Sequence, residues 1–121
     1  MKVLEIKSDE RGNYLEVFKI PGCGQASYAI SKPGAVRGNH YHKRKEETIC
    51  VIEGEAEIRM RNRENNEIKE YRVSGNKPQS FEMSVNWTHS IKNIGKEELK
   101  LLIWANEIFD PSNPDTYAET V

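Results

Sequence analysis

G-A-V-R-G-N-H-Y-H-K-R-K-E-E-T-I-C-V-I-E-G-E-A-E-I-R-M-R, residues 34 to 61, holds the chain's clearest alternation and two of its three histidines. From Glu55 to Arg61, Ala56, Ile58 and Met60 fall on one face, while Glu55, Glu57, Arg59 and Arg61 fall on the other. Successive side chains point to opposite faces only in an extended strand, so this segment is predicted as a half-buried β-strand. Asn65-Asn66 follows it, and asparagine tolerates positive φ, so a hairpin tip is expected there before a second strand from Ile68 to Val73.

The same period of two recurs outward along the chain, and no helical stripe of ten residues or more interrupts it. Strands are expected at Tyr14–Ile20, Gln25–Ser31, Thr48–Ile52, Phe81–Met83, Thr88–Asn93 and Glu98–Ala105, with glycine and proline turns between them. The predicted fold class is therefore all-β, as a sandwich, jelly roll or small barrel. Past Ala105 the pattern stops. The prolines of D-P-S-N-P-D predict an extended C-terminal tail that either frays or lies on a partner subunit.

Length and composition narrow the function. With 121 residues the chain is expected to be a single domain, 1–121. Eighteen Lys+Arg against nineteen Asp+Glu leave a net charge of −1, which gives no electrostatic case for nucleic acid or an anionic membrane. The first ten residues alternate charge with apolar side chains and do not form a secretory core, so a cytoplasmic location is expected. Cys23 and Cys50 are expected to be reduced and structural, Cys50 as a small buried thiol in T-I-C-V-I.

The chemistry is expected at the histidines. His40 and His42 stand two apart, which on a strand directs both rings to one side, and Glu47 adds a carboxylate five residues later. His89 can close the set from a distant strand. Three imidazoles and one carboxylate suit a divalent metal such as zinc, iron, manganese or nickel. Gly34, His40, His42, Glu47 and Gly54 together match every fixed position of the first motif of the cupin superfamily. Of the second cupin motif only His89 and Asn93 are in place, with Pro78, Ser84 and Asn86 standing where glycine, proline and glycine belong. Asn86 is the substitute that best tolerates a glycine-like φ.

S-K-P-G-A-V-R-G-N-H-Y-H (31–42), W-T-H-S-I-K-N-I-G (87–95) and W-A-N-E-I-F-D-P-S-N-P-D-T-Y (104–117) further resemble the C-terminal cupin domain of CapF-type capsular polysaccharide enzymes. That resemblance implies a cupin double-stranded β-helix, or jelly-roll barrel, with His40, His42, Glu47 and His89 as zinc ligands. It also implies epimerisation next to the keto group of a 4-keto-6-deoxy sugar nucleotide. In that family a short-chain-dehydrogenase domain then reduces the sugar. Gly22-Cys23-Gly24 lacks the third glycine of a dinucleotide fingerprint, so a reductase partner is expected to be a separate polypeptide.

For the group that moves the proton, Lys32 in the S-K-P-G segment is the candidate, while alternation points Tyr41 away from the site. Lys43-Arg44-Lys45 reads as a solvated loop, with attraction of a diphosphate as the competing role, and Arg59, Arg61 and Arg63 as a surface ladder. Trp87 fits a sugar-stacking position and a core position equally well. Trp104, Phe109 and Tyr117 are expected to pack on the barrel or a second subunit, which favours a homodimer. A metal-dependent oxygenase and a non-catalytic sugar-binding module are the alternative functions.

Overall fold

A computed structural model describes all residues, 1–121. Eleven strands form and no helix does: β1 (Lys7–Asp9), β2 (Gly12–Ile20), β3 (Gly24–Ser31), β4 (Val36–Tyr41), β5 (Glu47–Glu53), β6 (Glu55–Asn62), β7 (Ile68–Ser74), β8 (Ser80–Met83), β9 (Trp87–Asn93), β10 (Leu99–Ala105) and β11 (Tyr117–Ala118). They assemble into two antiparallel sheets, one ordered β1-β2-β3-β10-β5-β8 and the other β11-β4-β9-β6-β7. The strands expected from alternation are all present, with ends shifted by one or two residues. Three more were not among them: β4, which carries His40, and the short sheet-edge strands β1 and β11, none with an apolar alternation to announce it.

Alternation sets the core. Ala56, Ile58 and Met60 of β6 face inward beside Ile91 of β9 and Val73 of β7, and they meet Ala29, Ile49, Val51, Met83, Leu99 and Leu101 of the other sheet in one cluster. Ile58, Leu99 and Leu101 are wholly buried, and full burial of such a side chain stabilises the fold by roughly 1.5–3 kcal/mol. The β6–β7 hairpin turns where Asn66 takes a φ of 61°, as its residue type predicts. Gly54, the last glycine of the first motif, has a φ of 95° between β5 and β6, and a Cβ there would lie 2.7 Å from the Glu98 carbonyl oxygen. Both conditions demand glycine.

Three expectations are corrected. The C-terminal tail neither frays nor waits for a partner: β11 pairs with β4, placing Tyr117 opposite Tyr41 and Ala118 opposite His40. Glu119 accepts from Arg63 Nε at 3.0 Å and from the Thr88 hydroxyl, so Arg63 acts as a tail clamp, while Arg59 does pair across the sheet with Glu70 at 3.0 Å. Lys43-Arg44-Lys45 is only partly a solvated loop: Lys43 and Arg44 are exposed, but Lys45 is only 6% exposed and the Arg44 guanidinium is bound by Glu107 and Asn113. Cys50 is half-buried on the outward face of β5, opposite Leu102 and Ser80, rather than in the core. Both cysteines are free thiols.

Leu102 and Trp104 share that outward face of β10, and Phe18 stands across Ala26 from Trp104. These three side chains remain 49%, 39% and 63% exposed. No helix of the chain is long and apolar enough to cross a membrane.

Candidate metal centre

β4 and β9 bring the histidines together. They pair with a bulge at Asn39, whose φ is 54°, and the shift sets His40 directly opposite His89. A bulge bends the strand and re-aims its side chains, so the rings of His40 and His89 meet edge to face with centroids 4.7 Å apart. His42, just past the end of β4, lies 4.9 Å from His40 by ring centroids. Glu47 opens β5 in the opposing sheet. One donor atom from each of His40, His42, Glu47 and His89 lies within 4.8 Å of all the others. Atoms bound to one ion at about 2.0–2.2 Å stand no more than about 4.4 Å apart, so the four need only a slight contraction to share one.

Hydrogen bonding explains why such a cluster suits a cation. His42 Nδ1 lies 2.7 Å from the Asp115 carbonyl, and Nε2 lies 2.8 Å from Glu47 Oε1. A carbonyl only accepts, so Nδ1 carries the proton and a neutral ring turns its Nε2 lone pair toward a carboxylate. Two acceptors facing each other are reconciled by a cation between them. His89 Nδ1 is buried with no hydrogen-bond partner.

The electrostatics point the same way. Burial, with His89 and His42 adding to it, pushes the His40 ring down to about 3. Burial pushes His89 down to about 4 despite Glu47. Both rings are therefore neutral at physiological pH, the form that binds metal. Burial by itself would raise the Glu47 carboxyl, yet the group is held below the usual range, with the positive charge of Lys45 among the causes. Two neutral imidazoles, the Nε2 of His42 and one ionised carboxylate are the donors that zinc, iron and manganese accept.

The cluster sits in a cavity of about 410 Å³, within the range of small-ligand sites. Tyr14, Gln25, Ser27, Arg37 and Lys45 line it, as do Phe109 and Thr116 from the tail. Lys32 is exposed beside a turn and is not among the lining residues. Tyr41 points away, as alternation predicts, stacking on Tyr117 at 5.2 Å with the Arg63 guanidinium 3.8 Å from its ring centre. Trp87 packs against the core cluster beneath Lys69. Asn86 has a φ of 62° in the turn entering β9, so the altered second motif keeps the backbone shape its glycine would give. Asn93 closes the other end of β9, donating to the carbonyls of Ser31 and Glu97 at 2.9 and 2.8 Å.

Sequence reasoning missed Asp115. It is 3% exposed, with a φ of 51°. Its carbonyl fixes the His42 ring, and its carboxylate accepts from the backbone N–H groups of Lys43, Arg44 and Lys45 at 3.0, 2.9 and 2.7 Å. Its sequence setting, P-D-T after a proline-rich run, carries no signal of a partner 73 residues away. Tyr14 and Arg37 were missed as well, because a strand tyrosine and a strand arginine look the same whether they face a cavity or solvent.

The family described as the polysaccharide biosynthesis C-terminal domain matches residues 7–117. The chain is 41% identical, over 94% of its length, to UDP-2-acetamido-2,6-beta-L-arabino-hexul-4-ose reductase of Pseudomonas aeruginosa, of which it covers 31%. It superposes along its full length on the capsular polysaccharide assembling protein CapF of Staphylococcus aureus with a TM-score of 0.95 and 42% identity, covering 35% of that chain. A single-site variant of the oxalate decarboxylase of Bacillus subtilis shares the fold at a TM-score of 0.79 and 21% identity, over 94% of this chain and 30% of its own. The fold is that of a CapF-like cupin domain, and the chain spans about a third of the length of each of these proteins.

Proposed function

The chain belongs to the polysaccharide biosynthesis C-terminal domain family, and from that premise we propose that it is a metal-dependent epimerase. It acts next to the keto group of a 4-keto-6-deoxy sugar nucleotide in surface or capsular polysaccharide biosynthesis. One observation carries the reading: His40, His42, Glu47 and His89 converge within 4.8 Å in a ligand-sized cavity.

These four residues would hold a divalent cation, with zinc the first choice for three nitrogens and a carboxylate. Bound there, the cation supplies Lewis-acid polarisation of a carbonyl oxygen, which acidifies the neighbouring C–H bond. The chain's own groups do the rest. The Asp115 carbonyl holds the His42 proton on Nδ1, which keeps Nε2 free to coordinate. Buried walls of Ile49, Ile91 and Leu101 keep bulk water from competing for the cation and the carbonyl. The Tyr14 phenol, raised by its burial, stays protonated at neutral pH and lines the cavity as a hydrogen-bond donor for a sugar oxygen.

Reduction of the epimerised sugar belongs, in this reading, to a reductase other than these 121 residues. The exposed row of Phe18, Leu102 and Trp104 supports a homodimer, and sedimentation as a monomer at micromolar concentration would reject that part. The central test is incubation of the zinc-loaded protein with a UDP-linked 4-keto-6-deoxy sugar in deuterated water. Deuterium is expected at the carbon next to the ketone and is expected to vanish in His40→Ala. Bound zinc with no exchange would refute the epimerase.

A further inference from the structure

Four cationic side chains line the cavity, and they differ in how their charge is met. Lys7 is neutralised by Glu16 at 2.9 Å and Arg11 by Asp9 at 2.6 Å. Lys45 donates to the Pro114 carbonyl at 3.3 Å and lies 5.8 Å from the centre of the Phe109 ring. Arg37 is the most deeply committed. It is 8% exposed, and its Nε donates to the Ser31 hydroxyl at 2.8 Å. Its Nη2 donates to the carbonyls of Asn13 and Ile30 at 3.1 and 3.0 Å. Every one of these acceptors is neutral. No carboxylate contacts the guanidinium, and Nη1 has no protein partner although the side chain lines the cavity.

An arginine cannot shed its proton to escape burial, and a buried charge without a counter-ion is among the least favourable arrangements in a protein. The neighbouring Arg11 adds repulsion that Asp9 only partly relieves. Tying β4 to β2 and β3 needs donors but no charge. What does need the charge is an anion entering from the cavity, for which the neutral clamps on Nε and Nη2 hold the guanidinium plane in place.

We propose that Arg37 is the anchor of an oxyanion subsite in the same cavity as the metal-ligand cluster, with Nη1 donating to a phosphate oxygen of the ligand. The assignment to a diphosphate rests on the sugar-nucleotide reading above, whereas the subsite itself does not.

The test titrates the full-length chain separately with UDP and with malonate, following affinity by calorimetry and the Arg37 Nε–Hε resonance by NMR. UDP binding is expected to shift that resonance and to weaken about tenfold or more in Arg37→Gln, which removes a charge-assisted hydrogen bond. Arg37→Lys, which keeps a buried cation but loses the fork, should fall between the two. His40→Ala, with an impaired metal cluster, should retain Arg37-dependent binding. An unmoved resonance in the wild-type chain at saturating UDP overturns the subsite without recourse to any variant. Loss of binding in His40→Ala alone, with both Arg37 variants like wild type, also overturns it and leaves Arg37 a structural clamp. Arg37-dependent binding of malonate but not UDP supports the subsite and overturns its assignment to a diphosphate. None of these outcomes depends on deuterium exchange, so failure of the epimerase and failure of the subsite are separable.

Discussion

Asp115→Ala removes the acceptor of three backbone N–H groups and puts a β-carbon without a local hydrogen-bonding oxygen at a φ of 51°. Lys43 and Arg44 are exposed, so their N–H groups rehydrate, at about 0.5–1 kcal/mol each for the exchanged bond. The Lys45 N–H is buried and stays unsatisfied, which costs about 1–3 kcal/mol. The left-handed backbone adds roughly 1 kcal/mol. The sum is about 3–6 kcal/mol, or on the order of 10 °C or more in Tm for a chain of this size. The His42 ring then loses its fixed carbonyl as the tail segment shifts, and zinc affinity should fall about 10–100-fold, the usual effect of removing an outer partner of a histidine ligand. Asp115→Asn, which tolerates the same φ and keeps one acceptor, should recover part of both losses. Urea denaturation gives the first quantity and competition with a chromogenic chelator the second. A variant within about 2 °C of wild type that binds zinc equally well would falsify the view of the tail as a structural part of the metal centre.

Zinc at 100 times its Kd should raise wild-type stability by about 2.7 kcal/mol and leave His89→Ala unchanged, as read by thermal melting with and without chelator; an equal rise in both would remove His89 from the ligand set. For the metal-free chain the sign of the pH dependence follows from His40 and His89, pushed down to about 3 and about 4 from 6.5. Between about 4 and 6.5 the unfolded chain binds more protons at these rings than the folded one, so stability should fall as the pH drops through that window. A chelated sample whose contribution from these two rings, obtained by difference from a His40→Gln/His89→Gln double variant, is the same at pH 7 and pH 5 would contradict the neutral assignment. Gly54→Ala should lose about 2 kcal/mol or more, since its Cβ would stand 2.7 Å from the Glu98 oxygen at a φ of 95°; a Tm within error of wild type would show that the β5–β6 turn relaxes freely.

The all-β class was legible because local geometry prints itself on the chain. Ala56, Ile58 and Met60 alternate with charges, so only one face of β6 can be buried, and it is. His40, His42 and Glu47 lie within eight residues, where backbone geometry alone brings the rings to one side. His89 and Asn86 were reachable through motif spacing, and the positive φ of Asn86 follows from its residue type. Resemblance across 31–42, 87–95 and 104–117 carried the family.

What alternation cannot resolve is a strand apolar on both faces. In Thr48–Ile52 the pattern does not say that Ile49 and Val51 go inward while Cys50 goes outward, because that depends on which surface finds an opposing sheet. Nor does a sequence state what a side chain meets across a long loop. The tail's place on β4, the Asp115 carbonyl on His42 and the neutral cage around Arg37 join residues as far apart in sequence as Ala118 and His40. Such contacts form only when two sheets close on each other and desolvate the groups between them. The donor types and their local spacing belong to the sequence, whereas the proton on His42, the neutrality of His40 and His89 and the unmet charge of Arg37 come from tertiary burial, which alone decides which polar groups lose water and what replaces it.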